Sequence, residues 1–247
     1  MESLAFYLVA IPAVLVFGVS KGGFGGGLGI VAVPLMSLVV SPAKAAGVLL
    51  PLLVLMDLIG LAVYRRRWDR GIIRAMLPGA VLGIAAASFA FGYLPDRAVR
   101  LLLGLIAIGF TLNYFLRPAV RAVRRTHRPG PAAFWGGVAG FTSTLAHSGG
   151  PPANFYLLPL KPDKTVFVGT MVVLFAAINA LKLIPYLWLG LFDRTNLIDS
   201  LILSPLAALG IGLGVWLHKR VAETLFYRLC YLFVLLTGFK LLWDGLA

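Results

Sequence analysis

The sequence has little of what a soluble or a disulfide-bonded protein contains. Only 13% of its 247 residues are charged, whereas a soluble domain carries about a quarter. Its single cysteine, Cys230, excludes an intrachain disulfide framework and a thiolate metal site. Acidic residues number nine, and no HExxH, paired-carboxylate or Ser–His–Asp arrangement is evident. We therefore expect no enzyme activity, no metal and no cofactor.

Long apolar runs make up most of the chain. Hydrophobic residues account for 60% of it, in runs separated by short basic or proline-containing loops. A run of about 20 residues crosses a hydrocarbon core of roughly 30 Å. The pattern predicts an all-α polytopic protein in a lipid bilayer. The net charge of +13 comes from arginines at the ends of the runs, where membrane topology requires them, so we do not expect a nucleic-acid partner.

Six of the apolar runs are unbroken and two are interrupted. The unbroken runs cover about residues 45–64, 73–94, 98–116, 165–190, 197–217 and 225–244. The interrupted runs, at 4–40 and 132–160, each consist of two pieces around a glycine-containing break. Most of these pieces are too short to cross the bilayer alone.

Internal repetition divides the chain into two halves. The loop SPAK at 41–44 follows the first interrupted run, and KPDK at 161–164 follows the second. Further on, LPDRAVRLLLGLIAIGF at 94–110 aligns with LHKRVAETLFYRLCYLF at 217–233. The sequence predicts a first transmembrane repeat at 1–117 and a second at 132–247, joined by a basic cytoplasmic linker at 118–131. Each repeat is a broken, Gly-rich helical segment followed by three transmembrane helices.

The basic residues predict how the repeats are oriented. Residues 65–74 and the linker are strongly basic and should be cytoplasmic. KPDK and the HKR at 218–220 should be cytoplasmic as well. The segment 132–160 must then enter and return on one face, which gives the inverted repeats of many secondary transporters. In the alternative, every segment spans once and the repeats are parallel.

The two breaks are the best candidates for a binding site. They read SKGGFGGGLG at 20–29 and GFTSTLAHSGGPPANF at 140–155. Irregular backbone inside a membrane is tolerated where it is buried in protein or lines a wet cavity, and backbone amides, helix N-termini and a lysine favour an anion. The candidate substrate-binding residues here are Lys21, Gly22, Gly23, Gly25, Gly26, Gly27, His147, Ser148, Gly149, Gly150 and Asn154. Alternatively, the glycines serve helix packing and Ser148 and Asn154 cap the next helix.

Polar residues also lie deep in unbroken runs, and three of them are candidates for function. Lys182 is near the middle of its run, and Asn179 precedes it by about one turn on the same face. Because intramembrane polar groups are costly, we expect both to contact the anion. Asp57 is a candidate for carrying a coupling proton, with structural pairing to a lysine as the alternative.

These stretches resemble the TauE/SafE family of sulfite and organosulfonate exporters. The resemblance is carried by GVSKGGFGGGLGIVAVPLM, SPAKAAG and YRRRWD in the first half, and by GFTSTLAHSGGPP, LPLKPDKTVFVGT and INALKLIPYLWLG in the second. It implies a multispan inner-membrane carrier that exports a small sulfur-containing or carboxylate anion, such as sulfite or sulfoacetate. An anion channel with the same site is the first alternative and a membrane-embedded enzyme the second. The sequence leaves a homodimer open without requiring one.

Overall fold

The structure is a computed structural model that describes residues 3–27, 29, 32–90, 96–116 and 126–246. Most of the expected linker therefore lies outside the described residues. Within them the chain forms ten α-helices, a short 3-10 turn at Leu158–Leu160 and no strand. The helices are α1 (Leu4–Phe24), α2 (Ala32–Met36), α3 (Pro42–Val63), α4 (Arg70–Ala90), α5 (Asp96–Leu116), α6 (Pro129–Ala146), α7 (Gly150–Leu157), α8 (Lys164–Trp188), α9 (Arg194–Arg220) and α10 (Glu223–Leu246).

Among the described residues, six helices are long and apolar enough to cross a membrane: α1, α3, α4, α8, α9 and α10. The prediction of an all-α polytopic membrane protein is confirmed. Buried apolar side chains form one large cluster between α1, α2, α3 and α9. Another lies mainly between α4, α6, α7, α8 and α10.

The loops SPAK and KPDK both supply the start of a long helix. The Ser41 side chain accepts a hydrogen bond from the backbone N–H of Lys44 at the start of α3. The Asp163 side chain accepts from the N–H groups of Thr165 and Val166 at the start of α8. Both residues are preferred N-caps because their side chains satisfy N–H groups that have no partner in the first helical turn.

The first break begins later than the glycine stretch does. Helix α1 continues through Gly22 and Gly23 to Phe24 and is 21 residues long, so this piece of the first interrupted run is long enough to span a membrane. The two glycines lie against α9, where a Cβ on Gly22 would be 2.5 Å from the backbone oxygen of Ile211. Their lack of side chains permits close packing, which holds them in a helix despite their low helix propensity.

Helices of the first half pack against helices of the second half, an arrangement that we call exchanged packing. Gly18 of α1 faces Gly210 of α9, and Gly23 faces Gly214 further along both helices. Because residue numbers increase in the same direction along both helices, α1 and α9 run parallel.

The first helix of the second half packs in the same way against the first half. Gly79 of α4 faces Ala133 of α6, and Gly83 faces Gly137, so these helices are also parallel. The last helices of the halves pair in the opposite sense, because Gly104 of α5 faces Leu242 of α10 whereas Gly245 faces Leu101. Helices α5 and α10 are therefore antiparallel.

Helix α7 runs back along α6. The ring of Phe155 lies 5.2 Å from that of Trp135, and the Tyr156 hydroxyl donates to the backbone oxygen of Arg128 at 3.1 Å. The end of α7 thus lies near the start of α6, and the second break is at the far end of this hairpin.

Candidate functional site

The two breaks touch each other. At the first, Gly25 and Gly26 have φ values of 69° and 81°, which glycine adopts without steric cost. At the second, His147 has φ 52° and ends α6. A Cβ on Gly150 would lie 2.6 Å from the backbone oxygen of Gly26, so the breaks meet with no side chain between them.

Each break closes the preceding helix with the same hydrogen bond. The N–H of Gly26 donates to the oxygen of Ser20 at 3.0 Å, and that of Ser148 donates to the oxygen of Thr142 at 3.2 Å. In both bonds the N–H donates to a carbonyl oxygen six positions earlier. The two amides are therefore used within their own helix ends.

The start of α7 offers few amide donors. Its first turn contains Pro151 and Pro152, which have no N–H. This leaves the N–H of Gly150 as the backbone donor of this turn that lies next to the breaks. The glycine-rich sequence therefore supplies fewer amide donors to this place than its glycine content suggests.

Several residues at the breaks form pairs that are 122 positions apart in the sequence. Asn179 follows Asp57 by 122 residues, and its Nδ2 donates to Asp57 Oδ2 at 2.6 Å. The same offset relates Lys21 with Ser143, Gly25 with His147, and Leu53 with Phe175. The members of each pair differ in residue type.

A cavity lies between the breaks. It is lined by Phe17, Lys21, Gly25, Gly26, Leu53, Ser143, His147, Gly150, Met171, Val172, Phe175 and Asn179. One part of its wall is polar and cationic, and the other is formed by aliphatic and aromatic side chains. Within the described residues, no group of three or more His, Cys, Asp or Glu side chains could hold a metal ion.

Lys21 lines the cavity and is paired with a carboxylate. Its Nζ lies 2.8 Å from Asp57 Oδ1 and donates to the backbone oxygen of Leu53 at 3.3 Å. Lys21 and Asp57 are 5% and 3% exposed. The second carboxylate oxygen accepts a hydrogen bond from Asn179. Asp57 therefore contacts side chains of both α1 and α8.

Lys182 lies behind the cavity wall. It is fully buried, and its Nζ donates to the backbone oxygen and to Oγ of Ser143, both at 3.0 Å. The third contact of Nζ is His147 Nδ1 at 2.9 Å. His147 Nε2 is 3.0 Å from the backbone oxygen of Ala46, which can only accept. Nε2 therefore carries the ring hydrogen and Nδ1 accepts from the Lys182 ammonium.

Two tyrosines hold the ends of the broken helices. The Tyr64 hydroxyl donates to the backbone oxygen of Gly22 at 2.5 Å, and the Tyr186 hydroxyl donates to that of Thr144 at 2.8 Å. Tyr186 follows Tyr64 by the same 122 residues. These bonds satisfy carbonyls that lack a helical partner at a helix C-terminus.

The predicted site residues fall into two groups. Lys21, Gly25, Gly26, His147, Gly150 and Asn179 line the cavity. Gly22, Gly23, Gly27, Ser148, Gly149, Asn154, Lys182 and Asp57 are not among the lining residues. Asn154 is fully buried, and its amide has no hydrogen-bond partner among the described residues. It lies beside Gly27, whose added Cβ would be 3.3 Å from Nδ2.

Ser143 was not selected as a site residue, although it lines the cavity and contacts Lys182. Aligning the halves at an offset of 122 residues would have found it opposite Lys21. Tyr64 would have emerged from the same alignment, opposite Tyr186.

Comparison with known proteins identifies the family. No curated protein and no solved structure matches the chain. A family model described as sulfite exporter TauE/SafE matches residues 10–241, nearly the whole chain. The protein therefore belongs to the sulfite exporter TauE/SafE family, a family of membrane transporters.

Proposed function

We propose that the protein is a secondary transporter of the inner membrane that exports a small sulfur-containing or carboxylate anion through the cavity between its breaks. One observation carries the proposal. Two buried ammonium groups, Lys21 and Lys182, and one buried carboxylate, Asp57, surround this cavity. Together they leave one positive charge without a partner. Since an unpaired buried charge is expensive, the cavity favours an anion.

The polar wall gives this anion several donors. Lys21 and Asn179 present an ammonium and an amide, and the hydroxyl of Ser143 lies beside them. Lys182 acts through its field, since its three donors are already bound to Ser143 and His147. The N-terminus of α7, at Gly150, adds partial positive charge.

We also propose that the two halves are inverted repeats. In parallel repeats α5 and α10 would run in the same direction, but their contacts are antiparallel. Parallel packing of α1 with α9, and of α6 with α4, fits halves that run oppositely. Substrate sites between inverted repeats, formed by broken helices, are typical of carriers that alternate access by rocking one bundle against another.

The test is anion flux into proteoliposomes that contain the purified chain. We expect uptake of sulfite or sulfoacetate to saturate and to be accelerated by the same anion inside the vesicles, because a carrier exchanges substrate faster than it returns empty. Lys21→Ala should abolish flux. Lys219→Ala, at an exposed lysine near the end of α9, should not change it.

Three outcomes would contradict parts of this proposal. Flux that neither saturates nor responds to internal anion would indicate a channel. Flux that survives Lys21→Ala would remove this lysine from the site. If neither sulfite, sulfoacetate, taurine nor acetate moves, the cavity does not serve a small anion.

A further inference from the structure

The Lys182 ammonium is unusual among the buried charges of this protein. Lys182 is fully buried, yet its Nζ contacts only neutral acceptors: the backbone oxygen and Oγ of Ser143 and Nδ1 of His147. The nearby carboxylate, Asp57, is 2.8 Å from Lys21. The charge on Lys182 therefore has no carboxylate of its own within the part of the chain that the structure describes.

The surroundings of Lys182 contain few other groups that could change charge. Lys21 faces it from α1, Asp57 from α3 and His147 from the end of α6, and the Tyr186 ring lies 5.8 Å away on α8. The Tyr186 hydroxyl is occupied as a donor to Thr144. Helix α4 also packs on α8, but its Arg70 and Arg74 are exposed.

The charge balance of the cavity depends on whether an anion is present. Because Lys21 is paired with Asp57, an anion in the cavity neutralises the positive charge of Lys182. When the anion leaves, that charge has no partner in a low-dielectric interior. The least costly response is loss of a proton from Lys182, since Lys21 and Asp57 stabilise each other's ionised forms.

We propose that Lys182 binds one exchangeable proton, taken up when the anion enters the cavity and released when it leaves. Ser143 gives this proton a route, because its Oγ lies 3.0 Å from Nζ and the residue lines the cavity. Oγ accepts a proton from the ammonium while its own hydroxyl proton passes to a water molecule in the cavity. Lys182 is left as a neutral amine, and no other bond changes.

This inference rests on the proposed function and specifies its coupling. A monovalent anion and a proton would cross as an electroneutral pair, with Lys182 rather than Asp57 as the proton carrier. His147 has a positioning role, because its Nδ1 accepts from Nζ while Nε2 is fixed on Ala46.

Proton uptake on anion binding tests the inference directly. The purified chain is titrated with methanesulfonate, which stays ionised at neutral pH and cannot itself take up the proton. Calorimetry in two buffers of different ionisation enthalpy gives the number of protons bound per anion. We expect about one, and an affinity that falls about tenfold per pH unit once the free protein has lost the proton.

Two substitutions of Lys182 make the test specific. Lys182→Arg keeps a positive charge that cannot be lost, so it should bind the anion without proton uptake. Lys182→Met should bind more weakly, again without uptake. Asp199→Asn is the matched control, because Asp199 is a fully buried carboxylate bonded to Tyr7 and is not a lining residue; it should retain the wild-type proton ratio.

Several results would overturn the inference. One is binding by the wild-type chain with no proton uptake. Another is uptake that persists in both Lys182 variants. Uptake that is lost in Asp57→Asn but kept in Lys182→Met would assign the proton to Asp57. Failure of the wild-type chain to bind methanesulfonate or sulfite at all would instead overturn the proposed function.

Discussion

The buried ion pair between Lys21 and Asp57 makes the sharpest prediction about stability. Its atoms are 2.8 Å apart and its side chains are 6% and 5% exposed. Removing one member of such a pair leaves a buried charge alone, which costs about 3–5 kcal/mol. In a chain of this size 1 kcal/mol moves Tm by about 2–4 °C. We therefore expect Lys21→Met to lower Tm by roughly 6–20 °C.

The double variant separates charge from packing. Lys21→Met combined with Asp57→Asn removes both charges, so its Tm should lie above that of Lys21→Met alone. The measurement is thermal unfolding of the purified protein in detergent, without added anion, followed by tryptophan fluorescence. Lys240→Met is the control, because Lys240 pairs with Asp244 at the surface with 39% of its side chain exposed, and such pairs contribute about 0–1 kcal/mol.

Two results would refute this reasoning. If the losses in the two single variants simply add in the double variant, the pair is not electrostatically coupled. If Lys21→Met behaves like Lys240→Met, Asp57 is not a buried, ionised partner.

A further expectation concerns Asp57→Asn, which leaves Lys21 unpaired. Added sulfite should raise the Tm of this variant more than that of the wild type.

Three other predictions concern buried contacts of the tyrosines, of the helix-packing glycines and of Cys230. Tyr64→Phe and Tyr186→Phe should each lower the free energy of unfolding by about 0.5–1.5 kcal/mol. In the two variants, cysteines introduced into the cavity should become more accessible to maleimide from opposite sides of the membrane. An increase from the same side in both variants would contradict the inverted arrangement. Gly79→Ala should destabilise the protein strongly in thermal unfolding, because its Cβ would lie 1.8 Å from a backbone oxygen of α6. Gly212→Ala should not, because its Cβ would have no neighbouring atom of the described residues within 4 Å. Cys230, which is 1% exposed, should react with maleimide only after unfolding, and rapid labelling of the native protein would place it at a surface.

Much of the helical architecture could be predicted from hydrophobicity alone. Runs of about 20 apolar residues must be helical to satisfy their backbone in a bilayer, and the loops SPAK and KPDK each start a long helix. The end of α1 could not be predicted in this way. Gly22 and Gly23 have low helix propensity, but their contact with α9 keeps them helical, and that contact joins residues far apart in the sequence.

The sequence selected part of the cavity lining but not its hydrogen bonds. Lys21 and His147, two of the predicted binding residues, line the cavity, and their contact with an anion stays a prediction. Lys182 was expected to contact the anion, and its orientation toward Ser143 depends on side-chain geometry that a helical spacing does not specify. The proposed repeats have little sequence identity, because positions 122 residues apart differ in residue type, as with Asp57 and Asn179.

The exchanged packing of the halves has a consequence for biosynthesis. Helix α1 leaves the ribosome before its partner along the glycine face, α9, which begins at Arg194. Until α9 enters the bilayer, that face of α1 contacts lipid or a chaperone. The glycine face of α4 is likewise uncovered until α6 is inserted. A nascent chain that stops before α9 therefore lacks the surface against which its first helix packs, so quality control would recognise truncated products by the uncovered glycines of α1.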